Sequence, residues 1–147
     1  MAGFVASYIH GHGEIGVLVE LGFSSESLAS HPEVVSLGYD LAVHIAAMQP
    51  KGVQPSDLSA SEWDSEVEQL SRSASFMNGS PEQRAEILSA ARKRFEGHFA
   101  LLKQPFIKGS RQFVEDRLAQ VEALVGEPIS VVQFARFAPP TAGNRAR

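Results

Sequence analysis

Phe4-Val5-Ala6-Ser7-Tyr8-Ile9-His10-Gly11-His12-Gly13-Glu14-Ile15-Gly16-Val17-Leu18-Val19-Glu20-Leu21 holds two apolar runs around a glycine-rich centre. In the second run Ile15, Val17, Val19 and Leu21 recur at every other position, the period that puts alternate side chains on one face of a strand. Residues 4–10 read as a first strand and 14–21 as a second. Gly11-His12-Gly13 is turn chemistry, so the two strands form a β-hairpin. By letter, Gly11-x-Gly13-x-x-Gly16 matches a dinucleotide fingerprint, but that fingerprint must lie between a strand and a helix, not inside a hairpin.

Downstream of the hairpin, one long helix is predicted from about Ser25 to Ala47. Its stripe is Val34, Leu37, Leu41 and Ile45, at steps of three and four, and Pro50 and Gly52 end it. The serines of 24–27 read as N-caps, with Glu26 at the positive end of the helix dipole. After a loop over 48–58, Ser59-Ala60-Ser61-Glu62 forms a capping box. Trp63, Val67, Leu70, Ala74 and Met77 then follow at steps of four and three, a narrow coiled-coil-like seam. Asn78-Gly79 stops that helix. Ser80-Pro81-Glu82-Gln83 starts another, with proline at the first helical position and the stripe Ile87, Ala91, Phe95 and Phe99. Together they make an antiparallel helical hairpin. Leu101 to Lys108 reads as an extended packed segment broken at Pro105. Phe113 to Leu124 is a helix with Gly126 just past its end, and Ile129 to Phe137 is a third strand.

The fold class is therefore α+β. A small three-stranded antiparallel sheet, hairpin plus C-terminal strand, is covered on one face by helices and accompanied by a helical hairpin. The domain spans 1–138, and 139–147 read as a flexible C-terminal tail. Such a sheet leaves one face and two edges uncovered, so pairing with a second copy is expected.

Composition narrows the function. The 147 residues, 44% of them hydrophobic, suffice for one domain with its own core. With a net charge of -4 and no Lys/Arg cluster, the expected partner is protein and not nucleic acid. No apolar run approaches the roughly 20 residues that span a bilayer, and Met1-Ala2-Gly3-Phe4 lacks the basic start of a secretory signal. The absence of cysteine excludes disulfides and thiolate chemistry and suits a reducing cytoplasm. His10-Gly11-His12 lacks a carboxylate constellation and reads as a polar hairpin tip, not a metal site. His44, one turn after Asp40, reads as half of a local hydrogen-bonded or exposed pair. His98 reads as a cation at a helix C-terminus. No serine–histidine–acid order or carboxylate pair stands out, so no catalytic residue and no cofactor are assigned.

Four segments, in order, resemble the bacterial elongation factor Ts family. They are Tyr8-Ile9-His10 with Ile15-Gly16-Val17-Leu18-Val19-Glu20-Leu21, then Asp40-Leu41-Ala42-Val43-His44-Ile45-Ala46-Ala47, then Leu101-Leu102-Lys103-Gln104-Pro105-Phe106-Ile107-Lys108, and finally Gly126-Glu127-Pro128-Ile129 through Phe134-Ala135-Arg136-Phe137. The resemblance covers roughly 3–138 and implies the core, or dimerisation, domain of the short form, without the family's N-terminal helical module and paired through its sheet. It also implies a cytoplasmic guanine-nucleotide exchange factor in translation elongation, which promotes GDP release from elongation factor Tu and is not itself an enzyme. A loop of the pattern Thr-Asp-Phe-Val-Ala wedges into the GTPase in that family. Ungapped spacing between Glu20 and Asp40 sets the wedge on Ser25-Glu26-Ser27-Leu28-Ala29, with Ser25, Glu26, Ser27 and Leu28 as the partner-binding residues. Ser27 stands where the pattern has phenylalanine, a ring that buries about 150–250 Å² at about 25 cal/mol per Å². Phe23, four residues earlier, points elsewhere. An alternative reading follows from Ser27: a degenerate paralogue that serves as a dimeric interaction module without exchange activity.

Overall fold

The computed structural model describes residues 1–109 and 111–140, so positions 141–147 of the expected tail lie outside the described residues. Strands β1 (Ala2–His10) and β2 (Ile15–Phe23) pair antiparallel from Ala2 opposite Phe23 to His10 opposite Ile15. The turn between them is closed by the Glu14 amide donating to the His10 carbonyl at 3.1 Å. Gly11 and Gly13 there take φ of 59° and 90°, backbone that side chains with a Cβ rarely adopt. Strand β3 (Ser130–Phe137) pairs antiparallel with the other edge of β2, giving the order β1-β2-β3. Glu20 faces Gln133 and Leu21 faces Val131, so Val132 is the extra residue of a bulge. This is the α+β sheet read from the sequence.

The helices are α1 (Pro32–Met48), α2 (Ala60–Ser71), α3 (Ala74–Met77), α4 (Pro81–Phe99) and α5 (Val114–Val125). Two compact units result. One holds Met1–Gln49 and the chain from Pro105 onward, the other Pro50–Gln104.

In the first unit α1 lies on the sheet and also meets α5. The alternation of β2 explains why. Val17, Val19 and Leu21 point inward and are fully buried, as are Leu37, Leu41 and Ile45 on α1 and Val114 and Val121 on α5. Each such side chain contributes about 1.5–3 kcal/mol through burial. Contact is closest at Gly38, where a Cβ would stand 2.8 Å from the Phe4 ring and 3.0 Å from the Ala6 Cβ. At the far end of α1, the Arg136 guanidinium donates to the Ala46 carbonyl at 3.1–3.2 Å. A cation there also opposes the negative end of the helix dipole.

Two readings of this unit need correction. The helix expected from Ser25 begins only at Pro32. Glu26–Ser30 instead forms a 3-10 turn, and His31 is extended, with φ -68° and ψ 127°. The residue before a proline is driven out of helical backbone by the pyrrolidine ring. His31 then caps α1 itself, its Nδ1 accepting from the Glu33 amide at 3.2 Å. Nor does His44 sit at the surface beside Asp40. His44 is fully buried, stacks on Phe106 with centroids 5.8 Å apart, and accepts the Ile107 amide on Nδ1 at 3.2 Å. Asp40 accepts from the Lys108 Nζ at 2.6 Å, and this bond raises the Lys108 pKa.

In the second unit the seam predicted from Trp63 to Met77 is interrupted. Helix α2 stops at Ser71, and Ser73 caps α3 by accepting the Phe76 amide at 3.3 Å. The phase shifts by one residue, so Phe76 turns in and Met77 is exposed. Helix α4 keeps its predicted start, with Ser80 and Gln83 bonded reciprocally, and buries Ala91 and Phe95 of its stripe. Trp63 packs on Phe95 at 5.3 Å, and Arg92, paired with Glu96 at 2.9 Å, lies over the Trp63 ring. The segment predicted as extended opens with a 3-10 turn, Leu101–Lys103. Among the described residues no helix is long and apolar enough to cross a membrane.

Gly38→Val places a branched side chain against Phe4 and Ala6. The substitution is expected to cost about 1–3 kcal/mol by overpacking, read as a lowered denaturant midpoint with unchanged helix content in the folded baseline.

Candidate functional site

The loop joining β2 to α1 is short and pinned at both ends. Phe23, the last residue of β2, and Leu28 are both buried, while Ser24, Ser25, Glu26 and Ser27 between them are exposed. Local hydrogen bonds stiffen the turn: the Leu28 amide donates to Ser25 O at 3.0 Å, the His31 amide to Leu28 O at 3.1 Å, and the Ser30 hydroxyl to Ser27 O at 3.3 Å. Ser25 occupies the N-cap position of the 3-10 turn without a side-chain capping bond.

Its hydroxyl goes elsewhere. Glu127 reaches the loop from the segment between α5 and β3. The Glu127 Oε1 accepts the Ser24 amide at 3.2 Å and the Ser25 amide at 3.0 Å, and its Oε2 accepts the Ser25 hydroxyl at 2.7 Å. Gly126 directs it there: at φ 81° it ends α5 in left-handed backbone and turns the chain back. The neighbouring Ile129 amide is held by Glu122 Oε1 at 2.9 Å. Glu127 is therefore presented from a fixed corner. Three donors converging on one carboxylate favour its ionised form, and its pKa lies below the ordinary carboxylate value. The Ser25 amide is the largest cause, followed by the Ser25 hydroxyl, with the Ser24 amide adding less.

Of the four residues singled out from sequence, the structure brings Ser25, Glu26 and Ser27 together on one exposed turn. Leu28 is the turn's buried anchor. Phe23 points into the core and offers no ring at the surface. A fifth residue, Glu127, has no role in the sequence reading, since its bonds span 102 and 103 positions. The turn carries one carboxylate and a row of hydroxyls on a stiff frame, groups able to form hydrogen bonds with a partner.

A second surface is the uncovered face of the sheet. Val5, Ile9, Leu18, Val132 and Phe137 are exposed there, at 47% to 67% of their full areas. A polar link, Gln133 Nε2 donating to Glu20 Oε2 at 2.8 Å, crosses the same face.

A family model described as Elongation factor TS matches residues 1–139. The chain is similar to the protein named elongation factor Ts from Desulforamulus reducens, 37% identical over 136 residues, covering 92% of this chain and 62% of the relative. It is likewise similar to those of Symbiobacterium thermophilum, 35% identical and covering 92% and 45%, and Koribacter versatilis, 38% identical and covering 92% and 62%. The chain thus spans less than two thirds of the length of each of these curated relatives.

The lowered Glu127 pKa fixes a pH response. Its unfolded value is the higher one, so the stability it contributes is complete above that ordinary value and is lost as pH falls through the depressed folded value. In an NMR titration the Ser24 and Ser25 amide signals should stay constant from neutrality down to about pH 5, then move together at lower pH. In Glu127→Gln that step should vanish. Amides that titrate identically in both proteins would remove Glu127 as their acceptor.

Proposed function

This chain belongs to the elongation factor Ts family, and we propose that it is the core of a guanine-nucleotide exchange factor that promotes GDP release from elongation factor Tu. One observation carries the reading. The turn that aligns with the family's wedge is exposed at Ser25, Glu26 and Ser27 and anchored from beneath by Phe23 and Leu28. A wedge must be stiff, because a loop that yields on contact spends docking energy on its own ordering. The linkage is reciprocal: a partner that prefers the nucleotide-free GTPase lowers GDP affinity by the same factor that GDP lowers the partner's. No bond is made or broken by the factor, and it needs no cofactor of its own. Its place of work is the cytoplasm, where translation occurs.

Ser27 supports a second reading, an interaction module that binds the GTPase without accelerating release. The side chain at that position is small and polar, and the buried Phe23 cannot replace the missing ring. Stopped-flow release of a fluorescent GDP analogue from elongation factor Tu separates the two. Acceleration by the chain supports exchange, while binding without acceleration supports the module. Ser27→Phe should raise the release rate about tenfold or more, since a fraction of a phenylalanine's burial already reaches the 1.4 kcal/mol that a factor of ten requires. An unchanged rate would show that residue 27 does not meet the GTPase.

The uncovered sheet face supports a homodimer, with Leu18 and Phe137 as apolar contacts. Sedimentation velocity should give a two-copy species for the wild-type chain and a one-copy species for Leu18→Glu combined with Phe137→Asp. Circular dichroism of that variant should be unchanged, because both side chains point away from the core. A wild-type chain that sediments as one copy at all concentrations would rule the dimer out.

A further inference from the structure

We infer that Glu127 is a positioning residue for exchange, fixing the Ser25–Ser27 turn in the shape that meets the GTPase; the inference rests on the exchange reading above. The clamp is two-sided. One carboxylate oxygen gathers two consecutive backbone amides, from Ser24 and Ser25, and the other takes the Ser25 hydroxyl at 2.7 Å. Ser24 and Ser25 open the loop immediately after the last residue of β2, so these three bonds set the direction in which the chain leaves the sheet. The hydrogen bonds within the turn itself are local to 25–31, and the buried Leu28 anchors it in the core. Glu127 is thus the tie that relates the turn to a distant part of the first unit, the corner between α5 and β3. Both carboxylate oxygens of Glu127 are engaged by Ser24 and Ser25, while the Glu26 and Ser27 side chains stand exposed. Its effect on a partner therefore passes through the loop.

Substitution chemistry separates positioning from contact. Glu127→Ala removes all three acceptor bonds. Glu127→Gln keeps the carbonyl oxygen for the two amides, and its amide group can donate to the Ser25 hydroxyl oxygen, so the frame survives without the charge. Loop residues left unordered before docking must be ordered at the moment of docking, and a small misplacement at a working site is costly. The maximal rate should therefore suffer more than the concentration needed to reach half of it, since the rest of the docking surface is untouched.

The test measures GDP release from elongation factor Tu across a range of chain concentrations. Glu127→Ala should lower the maximal rate by about tenfold with a smaller change in half-saturation, and Glu127→Gln should restore most of it. Hydrogen exchange at the Ser24 and Ser25 amides should quicken in Glu127→Ala alone. In a chain already carrying Glu26→Ala and Ser27→Ala, adding Glu127→Ala should cost little more, the non-additivity expected of groups that act as one unit. A wild-type maximal rate in Glu127→Ala, or a tenfold loss that adds in full to the loop variant, would overturn the inference and leave the exchange reading standing. A wild-type chain that does not accelerate release at all would overturn the exchange reading, and this inference with it.

Discussion

The first unit depends on one contact, α1 laid along the inner face of β2. Leu37, Leu41 and Ile45 meet a row whose spacing was set by alternation, Val17, Val19 and Leu21, and all six are fully buried. The depth of that contact is limited at Gly38, where bare backbone faces Phe4 and Ala6 at distances no Cβ would tolerate. Its far end is tied by Arg136, which reaches from β3 to the Ala46 carbonyl. The strand that contributes this arginine is the last in the sequence. The contact thus draws together the start, the middle and the end of the chain.

The loop between β2 and α1 inherits its shape from that contact. With β2 fixed as far as Phe23 and α1 fixed from Pro32, only eight positions, 24–31, remain to join them. Leu28 takes one inward position, and the 3-10 turn takes up the slack. A longer or unanchored connection would fluctuate, because ordering each residue costs about 1–2 kcal/mol of backbone entropy. Here that cost is met during folding by Leu28, by the local hydrogen bonds and by the Glu127 carboxylate. Glu26 and Ser27 therefore stand exposed on a turn already in place.

Much of this architecture could be read from the residues. The hairpin came from a period of two around Gly11 and Gly13, the helical starts from Ser59 and Ser80, and the end of α5 from Gly126. Those features are written within a few positions of where they act. The errors fall where local pattern and a competing rule coincide. The serines before α1 looked like caps, yet Pro32 excluded helix at His31 and gave capping to an imidazole. The seam of α2 continued by count through Ala74, yet Ser73 closed one helix and opened another. His44 sat one turn from an acid on paper, but the same helix face met Phe106 and Ile107 from the other end of the chain. Glu127 was legible as a residue and not as a partner. Nothing within a hundred positions of it carries the amides it binds, and only the closed sheet brings them near.

That separation explains how residue 27 can differ from the family's pattern without disturbing the fold. The turn is anchored by the buried Phe23 and Leu28 and by the bonds of Glu127 to Ser24 and Ser25, while Ser27 is exposed. Ser27 contributes its backbone carbonyl, which accepts the Ser30 hydroxyl, and any residue supplies that. A change of side chain at 27 therefore leaves these anchors in place. The opposite holds for Glu127, whose three acceptor bonds no shorter or apolar side chain reproduces. The frame of the turn is thus costly to alter, while the side chain at its tip is not.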